Sequence, residues 1–363
     1  MNSIELASKF LPIIDETYKA AAVTQGMDSG TRVDFTAANE VKVLKISTTG
    51  LGDYSREDGY PKGDVATSWE TITLSEERGK EFSVDRMDNE EALGQAFGAT
   101  VGMFQRNHVA PELDAYRFAK YAGTSGISKA TAAVLDKTTI LDAIDEAYRK
   151  QTADEVPEAG RRLYINSDLQ PALAQALSRQ WGSDAAVSNK LASYNDMPIK
   201  YVSPSRFYTG ITLNDGTTSW GYARNKSAHP FTGDGTAKTF TVTEKPLADA
   251  IISVTVAGTP TAYTYVASTG VVTLATAPAN GAAVVVNYYT AANINFLMID
   301  PAALLQVVKF SLPKIFDPDT NQDKDAWKFQ FRLYHDAHVY EEKVAGVYLS
   351  AKPGANAYSA GND

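Results

Sequence analysis

Read by the spacing of its hydrophobic positions, the chain passes through stretches of different period. In EVKVLKIS the apolar positions alternate at Val41 and Val43. In WETITLSEERGKEFSVDRMD they alternate at Ile72 and Leu74, then at Phe82 and Val84. Alternation of this kind predicts β-strands. Between the two stretches lies GLGDYSREDGYPKGD, a glycine-rich, charged tip, so residues 41–87 are expected to form one very long two-stranded ribbon. A two-stranded ribbon buries too little of either face to be stable alone in water, and must be supported by another surface.

The period then changes. In DNEEALGQAFGATVGMFQRNHVAPELDAYRFAKYAG, residues 88–123, Asp88 stands at an N-cap with Glu91 three residues on, a capping-box spacing. Leu93, Phe97, Val101 and Phe104 recur at helical period. Gly94, Gly98 and Gly102 fall every fourth residue on a second face. Each costs about 1 kcal/mol against Ala in a helix interior, which points to the close approach of another backbone. Glu90, Glu91, Gln105 and Arg106 rule out a membrane-spanning reading of those glycines. Pro111 is expected to kink this long helix or to begin a second one, and Gly123 to end it.

Residues 124–228 read as a compact α+β unit. Thr138 or Thr139 is expected to cap a helix with Leu141, Ile144 and Tyr148 on one face; a strand RRLYIN, a helix DLQPALAQALSRQ and the strand-like MPIKYVSP and RFYTGITL follow. Residues 229–290 change character. Short β runs at Thr239–Thr243, Ile251–Val256, Tyr263–Val266, Val271–Leu274 and Ala283–Tyr289 are punctuated by GDG, GTP, STG and ANG, with GDG at 233–235 read as a hairpin turn. This is the pattern of a small all-β sandwich inserted into a surface loop. Mixed sequence resumes over 291–323, long strands are expected over 324–350, and 351–363 is expected to be a flexible tail. Residues 1–40 read as an arm, with Ile4, Leu11, Ile14 and Tyr18 on one face of a short amphipathic stretch.

Composition narrows the function. At 363 residues more than one structural unit is expected. A formal charge of −9 and a pI near 5.1 argue against a chain that grips nucleic acid over its whole surface, but not against one that encloses it. There is no cysteine, which excludes disulfides, thiolate metal sites and thiol catalysis. MNSIELASKFLPIIDETYKAAAV is not a signal peptide, because Glu5, Lys9, Asp15 and Glu16 interrupt it. A soluble protein made in the cytoplasm, with no membrane partner, is expected.

Candidate chemistry is sparse. Asp317, Asp319, Asn321 and Asp323 alternate like the opening ligands of an EF-hand loop, but Gln322 stands where its glycine belongs and Lys328 where its bidentate Glu belongs. A solvated Asp/Asn turn is the expected outcome. His335 and His338 lie three apart on a strand pattern and would point to opposite faces. His108 and His229 have no motif context, and there is no GxSxG elbow, phosphate loop or strand–GxGxxG–helix. The basic residues Arg161, Arg162, Arg224 and Lys226 are scattered, as on a solvated surface. No catalytic, cofactor-binding or metal-ligating residue is therefore assigned, and no cofactor or enzyme activity is expected.

The order arm, ribbon, long helix, α+β unit and late strands resembles the major capsid protein of tailed bacteriophages, the fold first described in the Hong Kong 97 phage. The end segments NINFLMIDPAALLQVVKF and KIFDPDTNQDKDAWKFQFRLYHDAHVYEEKVAGVYLS resemble the C-terminal part of such proteins. The resemblance covers nearly the whole chain outside the inserted β domain. It implies an α+β Hong Kong 97-like fold with an N-terminal arm (1–40), an extended E-loop (41–87) and the spine helix of a P domain (88–123). An A domain (124–228, returning over 291–323), P-domain strands (324–350) and a C-terminal tail (351–363) complete it, around an inserted immunoglobulin-like sandwich (229–290).

The function implied is structural: self-assembly through hexamers and pentamers into an icosahedral shell around double-stranded DNA, in a virion assembled in the host cytoplasm. Implied partners are other copies of the chain, a portal protein and a separate scaffolding protein, since no long scaffolding region precedes the arm. The inserted domain is expected to face outward, toward a host surface, glycan or decoration protein, or to act as a stabilising bump. Lys62 and Lys80 fall within the expected ribbon, but nothing marks either as a crosslinking residue. The alternatives are an encapsulin-type compartment of the same fold, a surface-active hydrolase with a β accessory domain, and a tail or adhesin component.

Overall fold

A computed structural model describes residues 22–28, 40–57, 59–60, 62–87, 101–178, 191–243 and 251–353. The capping pattern at Asp88 and Glu91, the positions Leu93, Gly94, Phe97 and Gly98, the arm's Ile4, Leu11, Ile14 and Tyr18, and the tail beyond 353 lie outside the described residues.

In chain order the first strands are β1 (Glu40–Thr48), β2 (Val65–Thr73) and β3 (Glu76–Asp85). The long helix is described from residue 101. It runs through a π turn at Gln105–Val109 into α1 (Ala110–Gly123). Pro111 has no N–H to return to Asn107, and its ring crowds that carbonyl. The wider turn, in which the Ala110 N–H reaches Gln105 O, carries the helix past it without a break. Next come β4 (Ser128–Lys129), α2 (Ile140–Ala153), β5 (Arg162–Asn166), α3 (Gln170–Ser178), β6 (Ser193–Tyr194) and β7 (Met197–Val202). Thr139 stands at the N-cap of α2, but its side chain makes no capping bond. The carboxylate of Asp136 accepts from the Thr138 hydroxyl (2.6 Å) and from the N–H groups of Thr138 (2.7 Å) and Thr139 (3.1 Å), and these bonds hold it below the usual range, at about 2.

A short hairpin of β8 (Ile211–Leu213) and β9 (Tyr222–Arg224) leads into β10 (Lys226–Thr232), β11 (Thr239–Thr241), β12 (Ile251–Val256), β13 (Thr259–Pro260), β14 (Tyr263–Val266), β15 (Val271–Leu274) and β16 (Ala283–Tyr289). The chain closes with β17 (Ile294–Ile299), β18 (Leu304–Phe316), β19 (Ala326–Val339) and β20 (Val347–Ala351).

A six-stranded sheet of order β4-β20-β17-β5-β7-β6 forms the centre. Alternation splits it into two apolar faces. Tyr164, Leu297, Ile299, Val347 and Leu349 meet Phe118 and Tyr121 of α1, whereas Leu163, Ile165, Phe296 and Met298 meet Ile140 and Ile144 of α2 and Leu173 of α3. Helices on both faces leave no polar side, which is why all six residues of β17 are buried. The last strand of the expected 324–350 group, β20, belongs to this central sheet, paired antiparallel to β17.

A second, three-stranded sheet has the order β18-β19-β3. Here the structure corrects the ribbon. The second ribbon segment is not one strand: β2 pairs with β1, the chain breaks step at Leu74–Ser75, and β3 pairs with β19 along its whole length. Phe82 and Val84 of β3 find their apolar partners in Phe329, Phe331 and the long helix (Val101, Phe104, Val109, Leu113), not in the ribbon.

Residues 226–289 fold as two antiparallel sheets, β10-β16-β12-β13 and β11-β15-β14, closed over Phe240, Val242, Val254, Val272, Leu274, Val284 and Val286. GDG at 233–235 is therefore not a hairpin turn but the crossover between the sheets. Its Asp234 accepts from the N–H groups of Thr236 and Ala237, and a Cβ on Gly233 would lie 2.7 Å from Ala279 O.

Candidate interaction surface

The ribbon pairs in perfect antiparallel register, Val41 opposite Ile72, Leu44 opposite Trp69 and Thr48 opposite Val65. Alternation gives it two faces. At its base one face carries Val41 and Ile72, which with Leu74 pack on Leu305 and Val307 of β18. Farther out on that face Lys45 pairs with Glu341 and lies 3.5 Å from Glu70. The opposite face carries Leu44, Ile46, Val65 and Trp69, and it is left open by the described residues. Ile46 is 63% exposed, Val65 68% and Trp69 62%. Toward the tip, Ser55 and Gly59 exchange backbone hydrogen bonds, Tyr54 and Tyr60 meet edge to face at 5.0 Å, and Leu51 is fully exposed. A contiguous apolar face of this kind on a projecting element marks a contact with another molecule.

The base of the ribbon is held by a buried carboxylate. Asp336 of β19 is 1% exposed. It accepts from the Tyr116 hydroxyl (2.8 Å), the Ser75 N–H (3.1 Å) and the Ser75 hydroxyl (3.2 Å). His338 Nε2 lies 3.4 Å away and Lys120 Nζ 3.6 Å away. Burial opposes the charge, but the bonds from His338, Tyr116 and the Ala337 N–H outweigh it and hold the acid far below its ordinary range. On the neighbouring position, the His335 ring meets Tyr116 edge-on at 5.0 Å; burial, helped by the charge of Arg117, presses its pKa down to about 3.

A second buried carboxylate ties residues 22–28 to α1. Asp114 accepts from the N–H groups of Val23 and Thr24 (3.0 Å each), the Thr24 hydroxyl (2.7 Å) and Arg206 (3.1 Å). Arg117 holds the Thr24 hydroxyl from the other side at 2.9 Å, and Met27 is fully buried in the central core. The end of the arm is thus fixed to the long helix.

The two-sheet unit within residues 226–289 stands on a braced stem. Arg224 donates to Ala291 O at 2.7 Å and stacks over Tyr289 at 4.3 Å, and the Thr290 N–H returns to Asn225 O at 2.9 Å. Of the basic residues read as solvated scatter, Arg161 is also buried. It donates to Pro157 O, Tyr148 O and Thr152 Oγ1 and so ties the segment after α2 back to that helix.

The residues weighed for chemistry are not brought together. His108 lies in the π turn, His229 on β10 beside Phe231, and His335 and His338 on β19 with different neighbours. In the 317–323 loop Asp317 accepts from the Thr320 N–H at 2.8 Å, Asn321 donates to Ala326 O, and Lys328 pairs with Asp323, lowering that acid's pKa. Among the described residues no group of three or more His, Asp or Glu is placed to hold a metal ion, and no helix is long and apolar enough to cross a membrane. Lys80 is not in the ribbon: it lies on β3 with its Nζ 3.2 Å from the centre of the Trp220 ring. Sequence reasoning missed Asp114 and Asp336, for which no local signal exists. It also passed over Leu44, Ile46 and Trp69, whose alternation opposite Val43 and Ile72 was legible.

No family model matches the sequence, and no curated protein matches it. The fold, however, has clear counterparts. The capsid structure of cyanophage P-SCSP1u superposes with a TM-score of 0.54 at 12% identity, over 92% of this chain and 89% of that one. A structure from Gordonia phage Cozz gives 0.50 at 13% identity, over 92% and 87%. The mature capsid of bacteriophage PhiM1 gives 0.50 at 10% identity, over 91% and 87%. The fold is that of phage capsid proteins. At these identities the likeness is one of architecture, and it runs through nearly the whole of each chain.

Proposed function

We propose that the chain is the major capsid protein of a tailed bacteriophage, which assembles with copies of itself into an icosahedral shell around double-stranded DNA. The observation that carries this reading is the open apolar face of the ribbon. Leu44, Ile46, Val65 and Trp69 together have no reason to face water in a finished particle, and each contributes about 1.5–3 kcal/mol when fully buried. Repeated around a closed shell, such contacts of modest strength add to cooperative assembly. The shared fold with phage capsids supports the same reading.

In these terms the ribbon is the E-loop and the helix through 101–123 the spine. The β18-β19-β3 sheet belongs to the P domain, the six-stranded sheet to the A domain, and 226–289 is an inserted domain standing on the outside. A net charge of −9 suits a wall that encloses DNA without gripping its sequence. A portal and a separate scaffolding protein are the expected partners of assembly.

The test is expression of the full chain with candidate scaffold, followed by electron microscopy and nuclease protection. Closed polyhedral shells with outward bumps that vanish when 226–289 is removed, and nuclease-protected DNA in particles from infected cells, are the expected result. Shells filled with a protein cargo instead would identify an encapsulin-type compartment. A stable monomer in the presence of scaffold would overturn the reading.

A further inference from the structure

We propose that Asp336 is the positioning residue of the ribbon: through Ser75 it sets the angle at which the ribbon leaves the body, and so the curvature of the assembly. This rests on the reading of the ribbon as the contact between copies. The argument begins with a break in pairing. β2 belongs to the ribbon and β3 to the β18-β19-β3 sheet, and only Leu74 and Ser75 join them. What fixes those two residues acts on the direction of everything beyond them, together with the packing of Val41 and Ile72 on β18 and the Lys45–Glu341 pair.

Leu74 is held by its buried side chain in the cluster with Leu305 and Val307, and by the Tyr334 hydroxyl, which donates to its carbonyl at 3.2 Å. Apolar packing restrains position but not direction, whereas hydrogen bonds restrain both. Ser75 supplies the directional part. Its N–H and hydroxyl both lie within hydrogen-bond distance of Asp336 Oδ2, at 3.1 and 3.2 Å, and its hydroxyl is 3.2 Å from that of Tyr116.

Asp336 is itself oriented by three side chains from two elements. Tyr116 of α1 donates to Oδ1 at 2.8 Å, Lys120 of the same helix approaches Oδ1 at 3.6 Å, and His338 of β19 approaches Oδ2 at 3.4 Å. The joint therefore connects the ribbon, the β18-β19-β3 sheet and the long helix at one buried charge. Hydrogen bonds to a buried ionised acceptor are among the stronger ones a protein makes, and a carboxylate left without its donors is costly, so the joint has one favoured geometry. A shell built from many copies multiplies any slack in that angle into a spread of diameters.

The experiment compares the wild-type chain with Asp336→Asn, which keeps the shape but sets an NH2 donor against donors where a carboxylate oxygen accepted, and with the milder Tyr116→Phe. Hydrogen exchange of the full-length chain is read at Ser75 and its neighbours against β5 and β17, and shell diameters are measured after assembly. The expected result is exchange on the order of tenfold faster at 73–76 with the central strands unchanged, and a broadened or mixed diameter distribution. If Asp336→Asn fails to fold, Tyr116→Phe carries the test through the same two readouts. Unchanged exchange at 73–76, an increase shared equally by β5 and β17, or a single wild-type diameter despite a loosened joint would each overturn the proposal. Failure of the wild-type chain to form any shell would strike the capsid reading instead, and is told apart because the exchange comparison at Ser75 does not depend on assembly.

Discussion

The ribbon and the two-sheet sandwich of residues 226–289 are both β structures outside the central sheet, and they solve the burial problem in opposite ways. The sandwich puts two sheets face to face and closes over its own valines; Val242, Val272, Val284 and Val286 are fully buried. The ribbon has one sheet of two strands. Beyond its base one face is tied to the body by the Lys45–Glu341 pair, while Leu44, Ile46, Val65 and Trp69 on the other face are left exposed by the described residues. A self-sufficient module can be inserted or removed with little consequence for its host. An element whose stabilising surface belongs to another copy ties folding to assembly.

That contrast can be broken or sharpened by experiment. The largest effect is expected from Trp69→Asp combined with Ile46→Asp. The subunit should fold, because both residues are already exposed, but shell formation should be lost, as read by sedimentation and microscopy. Assembly at wild-type yield would show that the open face is not the contact. Next, Leu274→Ala in the sandwich core should cost about 2–5 kcal/mol of that domain's own stability. Thermal unfolding should then show an early transition confined to 226–289 while assembly persists. A single transition shifted as a whole would mean that the sandwich is not independent.

A smaller effect concerns pH and the body beneath the ribbon. His335 stays neutral in the folded chain down to about 3, whereas an unfolded His takes up a proton near 6.5. The unfolded state thus binds more protons across that window. Stability from this group is unaffected above it and falls as pH drops through it, by on the order of 2 kcal/mol between pH 7 and 4.5. His335→Leu should flatten that part of the stability–pH curve, measured by denaturant titration; an unchanged slope would refute the assignment. Smallest of all, Arg332→Ala removes an exposed ion pair with Glu77 on the outer face of the β18-β19-β3 sheet, and should change stability by no more than about 1 kcal/mol.

The legibility of the two regions differs for the same reason. In the sandwich, β12, β14, β15 and β16 run over the residues that alternation and turn signals marked, because short strands between glycine turns are local features. β10 was less legible: its strand begins at Lys226 and carries Pro230, tolerated because β10 is an edge strand paired only to β16. In the ribbon the alternation was read correctly and the partner was not. Ile72 and Phe82 lie on one continuous pattern, yet they serve different sheets, since the strand that captures Phe82 is about 250 residues away along the chain. Pro111 was read as a kink or a new start; a π turn carries the helix past it instead.

What the sequence determined by itself was the kind of most of the described elements, because periodicity and turn residues act over a few residues. What only the tertiary structure decided was pairing and burial of charge. It divided the ribbon at Ser75, placed β20 in the central sheet and made GDG a crossover. It also turned Asp114 and Asp336 from two of 43 acidic residues into the anchors of the arm and the ribbon. Local pattern says which face of a strand is apolar, but the gain from burying that face, and the electrostatic cost of burying a carboxylate beside it, depend on neighbours that only folding brings within reach.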